Sequence, residues 1–392
     1  MLSILLSALL LEAQGKPALP KDGSALVRVA DNARAPWLAI DAEGNVYTAF
    51  SRGGNIEVSV SLDGGTTFSV PVRALNAQGL DPGISSRGPR ISVDAQKRIY
   101  VSAPLALGAP DSVPLIDLYY AVSTDKGRTW SRPYPVSEPK TGMEAAHAAA
   151  AGPGDVHIAW LGTTAGKPPT LSYSKFGADG KKSGKTLLVA ANPCERCPPG
   201  IAVDGRGNPT VAWRESSHDA ASKENRQIFI ATSTDGGKSF GAPARLNSVD
   251  SGLAECPNEA PALAITADAK TLAAAWMDRR DLERDANIYW AFGPPGKFCR
   301  DTDPHDDRRF IQRRPTLAVE PDGTVWCAWE DGRLSTQRVF FASTKAPANV
   351  PLGDEKEGGG FSPCLAAGGG KVGIVYQSGE NVAFRLLGLS KK

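Results

Sequence analysis

The sequence repeats itself, and the repeat limits the folds open to it. Its clearest copy is Gln312-Arg313-Arg314-Pro315-Thr316-Leu317-Ala318-Val319-Glu320-Pro321-Asp322-Gly323-Thr324-Val325-Trp326-Cys327-Ala328-Trp329-Glu330-Asp331-Gly332-Arg333. Two apolar runs of strand type flank a Pro-Asp-Gly turn. An arginine stands two residues before the first proline, and an acidic-Gly-Arg cluster follows the second run. Sister copies open at Arg34-Ala35-Pro36, Arg87-Gly88-Pro89, Glu144-Ala145-Ala146, Cys197-Pro198-Pro199, Glu259-Ala260-Pro261 and Phe361-Ser362-Pro363. The spacing is roughly 50–60 residues, the size of a four-stranded propeller blade. Third strands are expected at Asn55–Ser61 and Gln227–Ser233, and fourth strands at Pro71–Leu75 and Pro243–Asn247. These seven copies imply an all-β propeller of seven blades, with six blades and an irregular end as the alternative. The last copy runs out near Leu389 without a fourth strand, whereas Ala25–Ala30 supplies a spare one. The N-terminal strand is therefore expected to complete the last blade and remove the free sheet edges.

Composition agrees with many short strands: 41 Gly and 30 Pro stand against 3 Met, with 8 Trp. Residues 22–392 read as one domain, because a closed repeat array is a single unit. A net charge of +2, with no basic cluster interleaved with aromatics, gives no case for a nucleic-acid partner. The apolar run Met1–Ala13 has signal-peptide length and is too short to span a bilayer. It lacks a basic flank and a clean cleavage site, and a misplaced start codon or a frayed N-terminus is the competing reading. Residues 1–21 are expected to be a leader, the mature protein to be secreted or periplasmic with no transmembrane segment, and the chain to be a monomer.

A second pattern recurs between third and fourth strands: Ser61-Leu62-Asp63-Gly64-Gly65-Thr66-Thr67-Phe68, Ser123-Thr124-Asp125-Lys126-Gly127-Arg128-Thr129-Trp130 and Ser233-Thr234-Asp235-Gly236-Gly237-Lys238-Ser239-Phe240. The chemistry is that of a tight hairpin, with the Asp accepting backbone N–H bonds, glycine supplying positive φ and the aromatic packing beneath. In this Ser-x-Asp-x-Gly-x-Thr-Trp/Phe pattern, the Asp-box, the chain resembles the sialidase-like Asp-box (BNR-repeat) superfamily of β-propellers, over nearly all of its length. The resemblance implies that these aspartates are structural and lie opposite the active site. It also implies that the arginine of an Arg-x-Pro opening helps to bind a substrate carboxylate. Arg34, Arg87 and Arg313 stand in that place.

In an up-and-down propeller the starts of the first strands share a face with the loops between second and third strands. One ring of residues is thus expected there: Arg34, Arg87, Glu144, Cys197, Glu259, Arg313 and Phe361. The arginines are suited to binding a glycan or other anionic small molecule. Glu144 and Glu259 are placed for acid/base work if burial separates their pKa values. A self-neutralising ring of structural ion pairs is the competing reading. The second-to-third-strand loops add Asp278, Arg279 and Arg333, for which blade-to-blade ion pairing competes with substrate contact. The resemblance implies an exo-sialidase-type glycoside hydrolase. However, the first-blade loop Ser51-Arg52-Gly53-Gly54 lacks the acid that catalytic sialidases carry; Asp278, Asp281 and Asp285 are candidate substitutes for it, but stand in blade 5. Tyr376 is the candidate for the tyrosine nucleophile that the resemblance implies: it ends a second strand near that face but without the family's surrounding signature, and catalytic sialidases have six blades. The alternative is a non-catalytic binding propeller for a glycan, protein or metal.

Cys194, Cys197 and Cys256 are expected to cluster between adjacent blades on that face. Three states compete: a Cys194–Cys256 or Cys194–Cys197 disulfide, a soft-metal site with Glu259 or His147 as an extra ligand, and free thiols. Cys327 and Cys364 read as core. Asp301, Asp303, Asp306 and Asp307 form an oxygen-rich loop where a structural calcium competes with plain solvation. No cofactor is required by any motif present.

Overall fold

The computed structural model describes residues 25–77, 88–107, 115–137, 146–163, 167–218, 224–253, 255–281, 283–334, 336–353 and 359–388. Every regular element among them is a β-strand, and no helix there is long and apolar enough to cross a membrane. The strands form seven antiparallel sheets in chain order. After β1 (Val27–Ala30), blade 1 holds β2 (Arg34–Ile40), β3 (Val46–Arg52), β4 (Asn55–Ser61) and β5 (Val72–Asn76). Blade 2 holds β6 (Arg90–Val93), β7 (Ile99–Leu107), β8 (Leu115–Ser123) and β9 (Tyr134–Pro135). Blade 3 holds β10 (His147–Ala151), β11 (Asp155–Gly162), β12 (Thr170–Gly177) and β13 (Leu187–Ala190). Blade 4 holds β14 (Gly200–Val203), β15 (Pro209–His218), β16 (Glu224–Thr232) and β17 (Ala244–Arg245). Blade 5 has β18 (Ala262–Ile265), β19 (Leu272–Asp278) and β20 (Asn287–Gly293), with a single bridge, Trp290 to Thr302, where its fourth strand would run. Blade 6 holds β21 (Gln312–Val319), β22 (Val325–Asp331), β23 (Arg338–Ser343) and β24 (Val350–Pro351). Blade 7 holds β25 (Gly360–Gly368), β26 (Lys371–Ser378) and β27 (Asn381–Leu387), and β1 pairs with β27 to complete it.

The seven first strands touch in cyclic order, β2 against β6 and onward to β25, which returns to β2. The ring is therefore closed, as the repeat count implies. Its core lies in the seams. Tyr47 and Ile56 of blade 1 pack with Ile99 and Val101 of blade 2, and Phe384 and Val375 of blade 7 pack with Phe50 and Leu38 of blade 1. Alternating apolar positions on both faces of each sheet make this possible, since each blade is sandwiched between two others.

Two carboxylate devices explain the acidic residues of the repeat. Between first and second strands, Asp41 accepts the Glu43 and Asn45 N–H groups and the Asn45 amide and Tyr47 hydroxyl. Asp94 and Asp204 do the same work in blades 2 and 4. Between third and fourth strands, Asp63 takes the N–H groups of Thr66 and Thr67 and both the Ser61 and Thr67 hydroxyls. Asp125 and Asp235 repeat that pattern. These bonds hold all three carboxyls below the usual range, led by Ser61 at Asp63, Thr129 at Asp125 and Ser239 at Asp235.

Candidate functional site

The first strands of blades 6, 7 and 1 share a bulge. Arg314, Ser362 and Ala35, each followed by proline, have φ of 52°, 51° and 51°. The pairing register slips at each of them, between Arg313 and Thr316, Phe361 and Cys364, and Arg34 and Trp37. A bulge inserts unpaired residues and re-aims the side chains beside it. Here it brings Arg314 rather than Arg313 to the central cavity, and Ser362 rather than Phe361. In blades 6 and 7 the channel-lining position thus lies one residue later than the expected ring, and in blade 1 Pro36 and Trp37 line the channel.

The cavity runs along the propeller axis and has a volume of about 200 Å³. Its wall is largely apolar, with Pro36, Trp37, Ile201, Leu263, Leu317 and Pro363 among its lining, and its charged lining residues are Arg90, Glu259 and Arg314. Glu259 follows Asn258, whose φ is 56°, and is 6% exposed. Its Oε2 accepts the Arg314 backbone N–H at 2.9 Å, and its Oε1 makes no hydrogen bond among the described residues. Burial pushes the Glu259 carboxyl up to about 7; Glu330 pushes the same way, and the Arg314 N–H and guanidinium pull against it. Arg314 is held from behind by Glu330. Its Nη1 donates to both Glu330 oxygens at 2.8 and 3.0 Å, while Nε and Nη2 make no hydrogen bond among the described residues. Glu330 is the hub of this corner, since it also accepts the Arg313 Nε, the Gln337 amide and the Ser362 backbone N–H of blade 7. Arg90 lies 4.0 Å over the Trp37 ring and donates to the Gly88 and Pro89 carbonyls, with burial lowering its pKa to about 10.

The remaining expected residues are spread more widely. Arg313 lies off the cavity, between Glu330 and Gln337. Arg34 is exposed and lines a separate shallow recess with Asn32, Arg52 and Glu380. Asp278 is fully buried at the end of β19, where it accepts the Trp276 indole N–H and Arg280, and burial raises its pKa. Arg333 is clamped by Asp331, Asp306 and Asn349 over the Phe340 ring. Asp278 and Arg333 thus belong to blade scaffolding. The device recurs in three neighbouring blades, where Trp213, Trp276 and Trp329 donate their indole N–H to Glu215, Asp278 and Asp331, two residues on. Arg279 is exposed and bonds the Arg284 carbonyl. Tyr376 is packed in the seam of blades 6 and 7 with Val339 and Phe341, its hydroxyl facing Arg385, and does not line the cavity. Arg87 and Glu144 lie outside the described residues.

The sequence pattern does not single out Arg314 or Arg90, and it gives Glu330 only as part of the acidic-Gly-Arg cluster. A signal existed for Arg90: it follows proline where the sister copies carry Trp37, Gly200, Ala262, Thr316 and Cys364. Glu330 likewise fills a position held by Ser51, Leu161 and Met277 elsewhere.

The three cysteines do converge. Cys194 Sγ lies 2.9 Å from Cys197 and 3.1 Å from Cys256, and Cys197 lies 3.4 Å from Cys256. Contacts with Cys197 and Cys256 hold the Cys194 thiol well below its ordinary pKa; burial raises Cys197, and the contact with Cys194 raises Cys256. His147 faces Ser102 and Glu259 faces Arg314, so neither joins the cluster. The acidic loop is consumed by arginines: Asp301 pairs with Arg280, Asp303 with Arg308, Asp306 with Arg333 and Asp307 with Arg309.

The fold is a closed β-propeller of seven blades. No protein-family model matches the sequence, and no curated protein does. Among solved structures the chain is similar to a polysaccharide lyase of family PL25, an ulvan lyase bound to -[GlcA(1-4)Rha3S]-, with a TM-score of 0.61, 10% identity, and 93% of this chain and 96% of that one covered. It is similar to NanB with Optactamide at a TM-score of 0.52, with 10% identity and coverage of 84% and 70%. It is also similar to the intramolecular trans-sialidase from Ruminococcus gnavus in complex with oseltamivir carboxylate, at a TM-score of 0.51, with 14% identity and coverage of 87% and 99%. At such identities the likeness is one of fold, and function has to be argued from the site.

Proposed function

We propose that the protein acts on the acidic sugar unit of a glycan, taken into the central cavity as a single residue, with Arg314 binding its carboxylate and Glu259 transferring a proton. The observation that carries this reading is Glu259, buried, raised to about 7 and set beside Arg314 in the axial cavity. A carboxyl poised near neutrality is what general acid catalysis needs. The Nε–Nη2 edge of Arg314, which makes no hydrogen bond among the described residues while Nη1 is held by Glu330, matches the two oxygens of a carboxylate. Glu330 fixes that guanidinium, so little side-chain entropy is lost on binding. A volume of about 200 Å³ lies below the about 300–1,000 Å³ of typical ligand pockets, which suits one ring at a chain end. The solved neighbours that bind sialidase ligands or a glucuronate-containing glycan make an acidic sugar the natural class to test.

In the hydrolytic form, the finer reading, protonated Glu259 gives its proton to the leaving glycosidic oxygen, while a water molecule from solvent bonds to the anomeric carbon as the glycosidic C–O bond breaks and releases its own proton to solvent. A second reading, binding without turnover, is favoured by one observation: Tyr376 lies in the core rather than at the cavity. Fluorogenic sialosides and uronosides, together with absorbance of an unsaturated uronate as a readout for elimination, separate the two across the pH range. Release of the reporter or of an unsaturated product, lost in Glu259→Gln by about 10²–10⁴-fold, supports the enzyme. No turnover on any acidic sugar, with saturable binding that Arg314→Ala abolishes, supports the binding module. Absence of both turnover and binding refutes the proposal.

A further inference from the structure

On the seam between blades 4 and 5 stands a group of side chains that the cavity chemistry does not use. Cys194 and Cys197 precede β14, and Cys256 lies in the segment leading to β18. Their three Sγ separations, 2.9, 3.1 and 3.4 Å, are nearly equal. A disulfide would single out one pair and leave the third sulfur aside, whereas a near-equilateral triangle has one centre facing all three. The surroundings suit anionic sulfur: Arg226 Nη1 lies 3.2 Å from Cys194 Sγ and also pairs with Glu195. Cys194 and Cys197 are fully buried, and the Cys194 N–H is anchored on the Arg214 carbonyl, while Cys256 is only partly buried and leaves a way in from solvent. Among the described residues no histidine nitrogen or carboxylate oxygen joins this ligand group.

We propose that Cys194, Cys197 and Cys256 form a three-thiolate site for a thiophilic metal ion, zinc or monovalent copper. An all-sulfur donor set selects soft ions over calcium or magnesium. Metal–sulfur bonds of about 2.3 Å place thiolates about 3.8–4 Å apart, so binding spreads the sides of the triangle by about 0.4–1.1 Å. The half-buried Cys256 segment can supply the movement on its two sides, and the Cys194–Cys197 side, at 2.9 Å the shortest, opens by a change of the two side chains themselves. Each coordinating thiol releases its proton to solvent, leaving three thiolates balanced by the ion and by Arg226. The same segment continues through Asn258 to Glu259, so the ion would also pin one rim of the cavity.

The test uses the full chain, reduced and freed of metal, then titrated with zinc ion against a chromophoric chelator and, separately, with ascorbate-maintained monovalent copper against a copper(I) chelator. The expected result is one equivalent bound per chain and protection of Cys194, Cys197 and Cys256 from alkylation, with exposed Cys299 still reactive as the internal reference. The ion that is retained against its chelator identifies the occupant. Cys256→Ser should weaken binding by more than about tenfold, and Cys299→Ser should not. If neither ion is retained and the three thiols alkylate alike with and without metal in protein that keeps its sheet signal, the proposal is overturned. It is equally overturned if the protein as isolated holds a disulfide between two of the three. The protection assay on the unmutated chain decides even where a serine variant fails to fold.

Discussion

Glu259 links stability to pH in a way that can be measured. Its carboxyl rises from 4.5 unfolded to about 7 folded, so the folded chain holds a proton that the unfolded chain has released in between. The contribution is fully present below about 4.5 and is lost as pH rises through about 7. The shift corresponds to about 3 kcal/mol. Glu259→Gln should flatten this decline, and melts of both proteins across that window would check it; parallel curves would remove the assignment. If Glu259 works as the acid, turnover falls as pH rises through about 7. Arg314→Ala should weaken binding of an anionic sugar by about 1.5–3 kcal/mol, the worth of a charge-assisted bond, and Arg313→Ala by much less. Isothermal titration with both variants tests the one-residue shift in the ring. Glu330→Ala leaves two guanidiniums facing each other and should cost about 3–5 kcal/mol in denaturant unfolding. The sequence pattern puts Arg313 in the expected ring, whereas Arg314 lines the cavity, and the reason is local. A residue before proline ordinarily avoids the conformation that Arg314 adopts, so nothing in the spacing announces that the strand turns over there. Glu259, in contrast, could be read directly, because its place in the repeat is unaltered.

At the level of strands and turns the reading was closer to the structure. The expected third strand Asn55–Ser61 is β4, and the fourth strands are β5 and the short β17. Alternating apolar residues and glycine punctuation fix strands locally, which is why they can be seen without the tertiary fold. What could not be seen is how a turn docks on the next blade. Gly65 has φ of 97° and presses on the Phe384 ring of blade 7, and Gly237, at 81°, presses on Tyr173 of blade 3. Gly237→Ala should therefore cost about 2 kcal/mol or more, from strain and overlap together, while Gly236→Ala meets open space and should bear only the strain. Equal melting temperatures for the two variants would show that the turn does not bear on Tyr173. Blade 5 is where local pattern and fold part: in place of a fourth strand it has the loop of arginine-paired aspartates.

For the molecule as a whole, seven repeats and one spare N-terminal strand were enough to specify a closed ring, since each blade buries its faces only against its neighbours. Replacing Val29, which is buried with Val382 and Phe384, by Asp should open that seam and lower the melting temperature by several degrees; differential scanning calorimetry would read it, and an unchanged transition would mean that β1 is dispensable. The pairing of β1 with β27 also sets an order of events in time. The partner of Val27 is Phe384, so the first strand made must wait for nearly the last. At about 5–20 residues per second that interval is on the order of tens of seconds, during which the first strand lies unpaired on the growing chain. Two chains emerging side by side then offer each other the strand that each is missing. The contact that closes one ring is thus also the one through which neighbouring nascent chains would become interlocked.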